Sequence, residues 1–391
     1  MEIVNPLLIG NPVNYWILRI ALFVILIFCG WGVSYKTNTN RQYWLWTAPI
    51  ILSYSLFFGL RYGRGADYFH YYQDLVSTPF TDYSEPLYLL WIDIFKVTGL
   101  PYYLGFVFYS FLLILGVALM VKHCQKAAIW VYPIFVLLTP SSENLIRQYF
   151  AAAFILIAAA AYYNGKLKWA IVYALVALNI HFSSFFIIVV CLVAKYVKAS
   201  RKVNLILPIL LVVIYLFTYF LWDNSYFGWV ADILSKISLS EDTTGAGYLE
   251  NADRWFTDEG DLNVIMGRTV GVQSLLMQAT TFLSDFIVII LGYKIIKRQP
   301  KWNIIFWCSY LAIILNNIRG GIEMYARFYN WVVIFLPFMY GLIIINLKSL
   351  TKSQLIRVAI IAILLIQFGY YGIIRSIGSI GYSGCAFVWD L

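Results

Sequence analysis

Long apolar runs alternate with short polar turns over almost all of the 391-residue chain. The runs lie near 16–35, 43–60, 101–121, 127–139, 144–163, 167–180, 182–197, 203–222, 271–293, 302–318, 328–347 and 355–374. A helix of about 20 apolar residues crosses the ~30 Å of hydrocarbon in a bilayer. The pattern therefore predicts an all-α polytopic membrane protein with about twelve transmembrane helices, forming a single integral membrane domain over residues 1–391. The runs 127–139 and 167–180 are short, and the two that meet at His181 read as a bent or broken pair. Two segments interrupt the alternation. Within 61–100, a stretch with apolar residues at helical spacing also carries the charged Asp93 and Lys96 and is bounded by Pro86 and Pro101, which predicts a short interfacial helix. Residues 223–270 hold nine carboxylates and read as a long acidic loop, of a length that in packed domains is usually functional or mobile.

Composition adds sidedness. Hydrophobic residues make up 62% of the chain, charged residues 12%, and the mean hydropathy is +0.76, so a water-soluble packing solution is excluded. The turns 36–42, 122–126, 164–168, 194–202, 294–301 and 348–354 hold thirteen lysines and no Asp or Glu. Lysine in short loops marks the cytoplasmic face. Both termini and the segments 61–100 and 223–270 are then expected on the far, outer side. The net charge of +9 is divided among these short turns, so it signals topology and no nucleic-acid partner. The first run lacks a basic n-region or cleavage site and reads as a retained helix. Five scattered cysteines without CxxC spacing and three distant histidines predict neither a disulfide framework nor a metal site.

The far-side turns carry Arg61, Arg64, Arg147, Arg254, Arg268, Arg319 and Arg327, together with Asp67, Asp74, Asp82, Glu85, Glu143 and Glu323. Positive charge on this face has no topological role, which makes it a candidate active site. There is no GxxxxGK[ST] or GxGxxG motif, and the lysine turns are too short for a nucleotide fold. A far-side site must use a substrate already carried across, and a lipid-linked pyrophosphate sugar fits because its phosphates lie at headgroup level. Arginine suits phosphate through its planar, permanently charged fork.

Arg61-Tyr-Gly-Arg64-Gly-Ala-Asp67-Tyr68 sets two forks, two glycines and a carboxylate in eight residues; contact with lipid headgroups explains it equally well. Arg147-Gln148 opens a helix behind Pro140-Ser-Ser-Glu143, where free N–H groups favour an anion and snorkelling is the plain alternative. His181 titrates near neutrality and can accept a proton, although a lone histidine among apolar residues is commonly structural. Glu323 and Arg327, four apart, also predict an ordinary helix ion pair. Asp285 is an isolated carboxylate in mid-span, expected to bond within the bundle. Tyr68, Tyr71, Tyr72 and Tyr83 can stack on sugar rings, whereas membrane belts account for most aromatics.

The order FGLRYGRGADYFHYY, a Glu-Pro before an apolar segment, ENLIRQYFAAAFILIAAAAYYNGKLKWA, ALNIHFSS and EMYARFYNW resembles the EpsG/Wzy family of bacterial polysaccharide polymerases, over roughly 20–375. The acidic stretch 223–270 has no counterpart in that resemblance. The resemblance implies a GT-C-like glycosyltransferase architecture in the bacterial inner membrane, with undecaprenyl-pyrophosphate-linked oligosaccharides as donor and acceptor. It implies no cofactor and no metal, and a protein that regulates chain length as a partner. On that reading Arg61, Arg64, Arg147 and Arg327 take the phosphates, with Arg319 and Arg268 behind them. His181 or Asp67 is the base, Glu323 the third choice, and Tyr68, Tyr72, Gln148 and Glu85 meet the sugars. An O-antigen ligase would share this chemistry with another acceptor. A flippase would need charges through the whole bilayer depth, and an acyltransferase would need polar residues open to the lysine side.

Overall fold

The computed structural model describes residues 5, 9–77, 85–220, 272–318, 323–372, 374 and 384–391. Helices dominate them: α1 (Pro12–Tyr35), α2 (Asn40–Gly59), α3 (Tyr68–Val76), α4 (Pro86–Thr98), α5 (Tyr102–Val121), α6 (Ala128–Leu138), α7 (Ile146–Tyr163), α8 (Leu167–Ile180), α9 (Ser184–Tyr196), α10 (Arg201–Phe220), α11 (Val272–Arg298), α12 (Asn303–Ile318), α13 (Glu323–Val332), α14 (Leu336–Leu350) and α15 (Gln354–Leu365). The acidic stretch 223–270 lies outside the described residues.

Local signals explain the helix ends. Asn11 accepts from the N–H groups of Val13 and Asn14 to cap α1, with Pro12 at the first helical position. Thr39 and Gln42 close a reciprocal capping box on α2. A short helix stands where one was expected, as α4, which starts at Pro86 and stops at Gly99, whose φ of 62° few other residues tolerate. Among the described residues, five helical stretches are long and apolar enough to cross a membrane: Pro12–Tyr35, Tyr102–Leu138, Ile146–Tyr163, Leu276–Arg298 and Tyr325–Leu350. Shorter apolar helices include Leu167–Ile180, Ser184–Tyr196 and Gln354–Tyr370. The chain is a multi-pass helical membrane protein. The two runs expected at 101–121 and 127–139 are the separate helices α5 and α6, joined by the 3₁₀ turn Lys122–Ala127, in which Cys124 has a non-helical φ of −134° and ψ of 45°.

The chain forms two compact units. Unit 1 comprises Met1–Val189, Tyr340–Ile345 and Tyr370–Leu391. Within it α1 packs on α2 and α6, α2 on α5, α5 on α7, and α7 on α8. Helices in lipid gain little from mutual apolar burial, so small residues that let backbones touch set the contacts. A Cβ added to Gly116 of α5 would meet the carbonyl of Ala153 at 2.8 Å, and α7 turns Ala151, Ala152, Ala153 and Ala160 inward. The polar turns of this unit segregate. At one end Lys122 Nζ donates to Asn40 at 2.6 Å, and Ser34 bonds the carbonyl of Gln125. At the other end the arginine turn after α2 meets the turn before α7, where Arg61 bonds the carbonyl of Glu143. Sequence charge patterning and helix packing thus agree on which turns are neighbours.

Unit 2 comprises Val190–Met339 and Asn346–Gly369. Here α11 packs on α10, α12 and α15. Thr281 of α11 hydrogen-bonds Gln367 in the π-helical turn Ile366–Tyr370, and Asp285 is buried a turn away.

Candidate active site

Two arginine clusters stand at the arginine end of unit 1, and their geometry differs. In the first, Arg61 and Arg64 follow α2 and are 2% and 1% exposed. Arg61 donates from Nε to the carbonyl of Arg64 at 3.3 Å, from Nη2 to Glu143 at 3.0 Å, and from Nη1 to Phe58. Burial pushes its guanidinium down to about 10, with the Glu143 charge opposing and Arg64 adding to the shift, which leaves it charged at neutral pH. The rings of Tyr68 and Phe106 flank it.

Arg64 sits inside a box of three rings, with its guanidinium carbon 5.1 Å from the centre of Tyr15, 5.0 Å from Phe57 and 4.9 Å from Phe387. Such cation–ring contacts are strongest when desolvated. Its Nη2 donates to the carbonyl of Phe57 and lies 3.4 Å from Glu143 Oε1. The chain around Phe387 holds this loop by its backbone. Tyr62 donates to Ala386 and Val388 donates to Leu60, each at 2.9 Å. Gly65, at φ 105°, passes so close to Glu143 that a Cβ would meet its carbonyl at 2.5 Å.

Arg61 and Arg64, expected as a pyrophosphate grip, are enclosed here. The donors of Arg61 meet backbone carbonyls, Arg64 is ringed by aromatic side chains, and a void of about 10 Å³ beside Arg61 has room for about one water. Tyr68, expected to stack on a sugar, is fully buried, parallel to Phe106 at 4.7 Å, with its hydroxyl on the carbonyl of Arg61. These residues brace the loop.

The second cluster joins three helix ends. Glu85 precedes Pro86 at the start of α4 in an extended conformation, and its side chain does not cap its own helix. Its carboxylate instead accepts from Arg147 Nη1 at 3.1 Å, in the first turn of α7. Its other oxygen lies 3.4 Å from His181 Nδ1 and accepts from the N–H of Phe182 at 3.4 Å. His181 ends α8 with φ −155°, an extended residue that breaks the helix before α9 and turns the imidazole aside. Glu85 is 3% exposed, whereas the side chains of Arg147 and His181 keep 15% and 17% of their surface open.

Burial alone would raise the Glu85 carboxyl. The His181 hydrogen bond, the charges of Arg147 and His181, and the Phe182 N–H together outweigh it and hold the group below its ordinary 4.5. Against the Glu85 carboxylate, Nδ1 is the donor of the shared bond, and Nε2 is the second ring nitrogen, which can accept a proton only when the ring is neutral. Arg147 also lies over the ring of Tyr88 at 5.5 Å, one turn along α4 from Glu85, and Tyr88 donates to the fully buried Asp74 at 2.9 Å. The cluster is a buried carboxylate held between an arginine and a histidine that each keep an open edge.

The other expected residues divide. Asp67 is partly exposed and donates its N–H to Asn144 at 2.8 Å, so it stands at the first cluster. Gln148 is buried next to Arg147, and Tyr72 packs edge-on to Tyr102 at 4.6 Å. Glu323 and Arg327 share α13 of unit 2. Arg254, Arg268, Arg319, Asp82 and Tyr83 lie outside the described residues. Sequence reasoning passed over Tyr88 and Phe387. The helical spacing of Glu85 and Tyr88 pointed to the first, and nothing local pointed to the second.

Residues 43–383 match the family model described as the EpsG family. The chain belongs to the EpsG family. Both clusters fall within the matched stretch apart from Tyr15 and Phe387. Membership supports a polysaccharide-polymerase type of function, and no curated protein and no solved structure matches the chain.

Proposed function

We propose that this EpsG-family chain joins lipid-linked repeat units on the periplasmic face of the bacterial inner membrane, using Glu85, Arg147 and His181. Donor and acceptor are undecaprenyl-pyrophosphate-linked oligosaccharides. The bond between the donor's anomeric carbon and its phosphate oxygen breaks, and the pyrophosphate leaves with the electron pair. The acceptor's hydroxyl oxygen bonds to that carbon, and its proton passes to His181 Nε2. Arg147 offsets the charge that builds on the leaving pyrophosphate. Glu85 orients both groups rather than meeting the sugar. The full architecture in this reading has twelve spans, both termini periplasmic, GT-C-like, with lysine turns inside. Arg327, Arg319, Arg268 and Glu323 are then reserve contacts for the second lipid-linked substrate, and a chain-length regulator would act alongside.

The observation that carries this reading is the convergence on one buried carboxylate of a partly open arginine and a partly open histidine. A general base must also come within about 3 Å of the hydroxyl it deprotonates, which the open edge of His181 permits. Purified protein in nanodiscs, given lipid-pyrophosphate-linked repeat units, is expected to yield a ladder of products on a gel. His181→Ala and Arg147→Ala should each abolish the ladder in well-folded protein. Lipid-linked substrate that crosses a proteoliposome without any ladder would overturn the reading in favour of a flippase.

A further inference from the structure

Asp74 of α3 and Tyr88 of α4 are both fully buried, and the Tyr88 hydroxyl donates to the Asp74 carboxylate at 2.9 Å. Taking a carboxylate out of water is costly, and an apolar pair at these positions would join the two helices without that cost. The helices are also held without the bond. On α3, Tyr68 stacks on Phe106 of α5, and Leu75 lies so close to Gly105 that a Cβ there would meet it at 2.7 Å. On α4, Trp91 donates from Nε1 to the Tyr109 hydroxyl at 2.9 Å and stacks on Phe108 at 4.2 Å, which ties it to α5 as well.

Beyond the bond lies the open cluster. The guanidinium of Arg147 sits 5.5 Å from the centre of the Tyr88 ring, and Glu85 stands three residues before Tyr88. Arg147 is therefore held from two sides, by the Glu85 carboxylate at 3.1 Å and by a ring whose hydroxyl ends on a second carboxylate. Tyr71, three residues before Asp74 on α3, lies within electrostatic range of both Asp74 and Arg147. A phenol that donates to a carboxylate shifts electron density into its ring, and an electron-rich ring attracts a cation more firmly. With a plain ring in its place, a long arginine side chain can follow its charge toward water.

We propose that Asp74 is a positioning residue for Arg147. Acting through Tyr88, it holds the guanidinium between ring and Glu85 so that the open edge meets the leaving pyrophosphate. The proposal rests on the function proposed above for that cluster.

The test separates positioning from a mere tie between two helices. Asp74→Asn keeps an oxygen for the Tyr88 hydroxyl and removes the carboxylate. In nanodiscs it is expected to lower kcat about tenfold while KM for the lipid-linked donor stays within about twofold of wild type, the pattern of an interaction made in the transition state. In an Arg147→Lys background the same change should leave kcat where it is, because the fork it positions is gone. Asp74→Leu combined with Tyr88→Phe replaces both partners by apolar groups, which should keep Tm near wild type. Its kcat should nevertheless fall as that of Asp74→Asn does.

A second readout does not depend on turnover. Phenylglyoxal labels arginines, and mass spectrometry follows the rate peptide by peptide. Asp74→Asn and the double variant should both label Arg147 several times faster than wild type, while the exposed Arg298 labels at an unchanged rate. Wild-type turnover and labelling in the double variant would reduce Asp74 to a helix tie. An equal loss of kcat on changing Asp74 with and without Arg147→Lys would also overturn the proposal. Faster labelling of Arg147 in the variants, when wild type itself makes no ladder, would retain the positioning role and remove the polymerase reading.

Discussion

Arg61 and Arg64 lie a few ångströms from Glu143, and Arg147 begins the helix just beyond it, yet the two groups of arginines do different work. The first pair is buried under aromatic rings, at 2% and 1% exposed. Arg147 pairs with Glu85, lies over the ring of Tyr88 and keeps 15% of its side-chain surface open. Residue type is the same in both cases. What separates them is access. A ligand can reach an arginine only where the fold leaves its side chain a path to the outside.

Substitutions can break this comparison, and the largest effect is expected at the open cluster. His181→Ala should cost about 10²–10⁴-fold in kcat, the usual range for a lost general base. Arg147→Lys keeps a charge opposite Glu85 and loses the fork, so turnover should fall about tenfold or more while Tm stays near wild type. If Arg147→Lys instead lowered Tm and left turnover alone, the two clusters would have exchanged roles.

Next in size come the braces. Arg64→Ala should destabilise the protein by about 3 kcal/mol, as removal of one member of a buried ion pair does. Phe387→Ala should do the same to a similar degree by opening the ring box. Both would be read as a lower Tm and yield in detergent, with an unchanged KM for donor in the fraction that survives. A raised KM at wild-type Tm would show that Arg64 meets substrate after all.

The smallest effect concerns acid. The Glu85 carboxyl is held below its unfolded value, so its contribution to stability is fully present above the ordinary carboxylate range and is lost as pH falls through the lowered value. Wild type should therefore lose Tm below about pH 4 more steeply than Glu85→Gln, which has no such group to protonate. Parallel acid limbs in the two proteins would show that the carboxylate is not coupled to Arg147 and His181.

Much of the fold is legible from the sequence because it depends on local pattern. The apolar runs, the short helix between Pro86 and Gly99, and the helix break at His181 all follow from spacing and from residues that cap or stop helices. Arg147 and His181 also stood out, since both are polar at the ends of apolar helices, and the structure joins them through Glu85. The role of Glu85 was not. Its partners lie 62 and 96 residues away, and no periodicity links them. The availability of an arginine was equally hidden. RYGRG reads as a flexible anion-binding loop until the rings of Tyr15, Phe57 and Phe387 are seen to close over it.

The strand-like bridge between Arg61 and Phe387 also has a bearing on biosynthesis. A ribosome adds roughly 5–20 residues each second, so the arginine loop emerges tens of seconds before the segment that closes over it. Throughout that interval Arg64 has two ring walls and lacks the third. A stalled or shortened nascent chain would present an unsealed cation at the membrane surface, a ready mark by which unfinished copies can be told from complete ones.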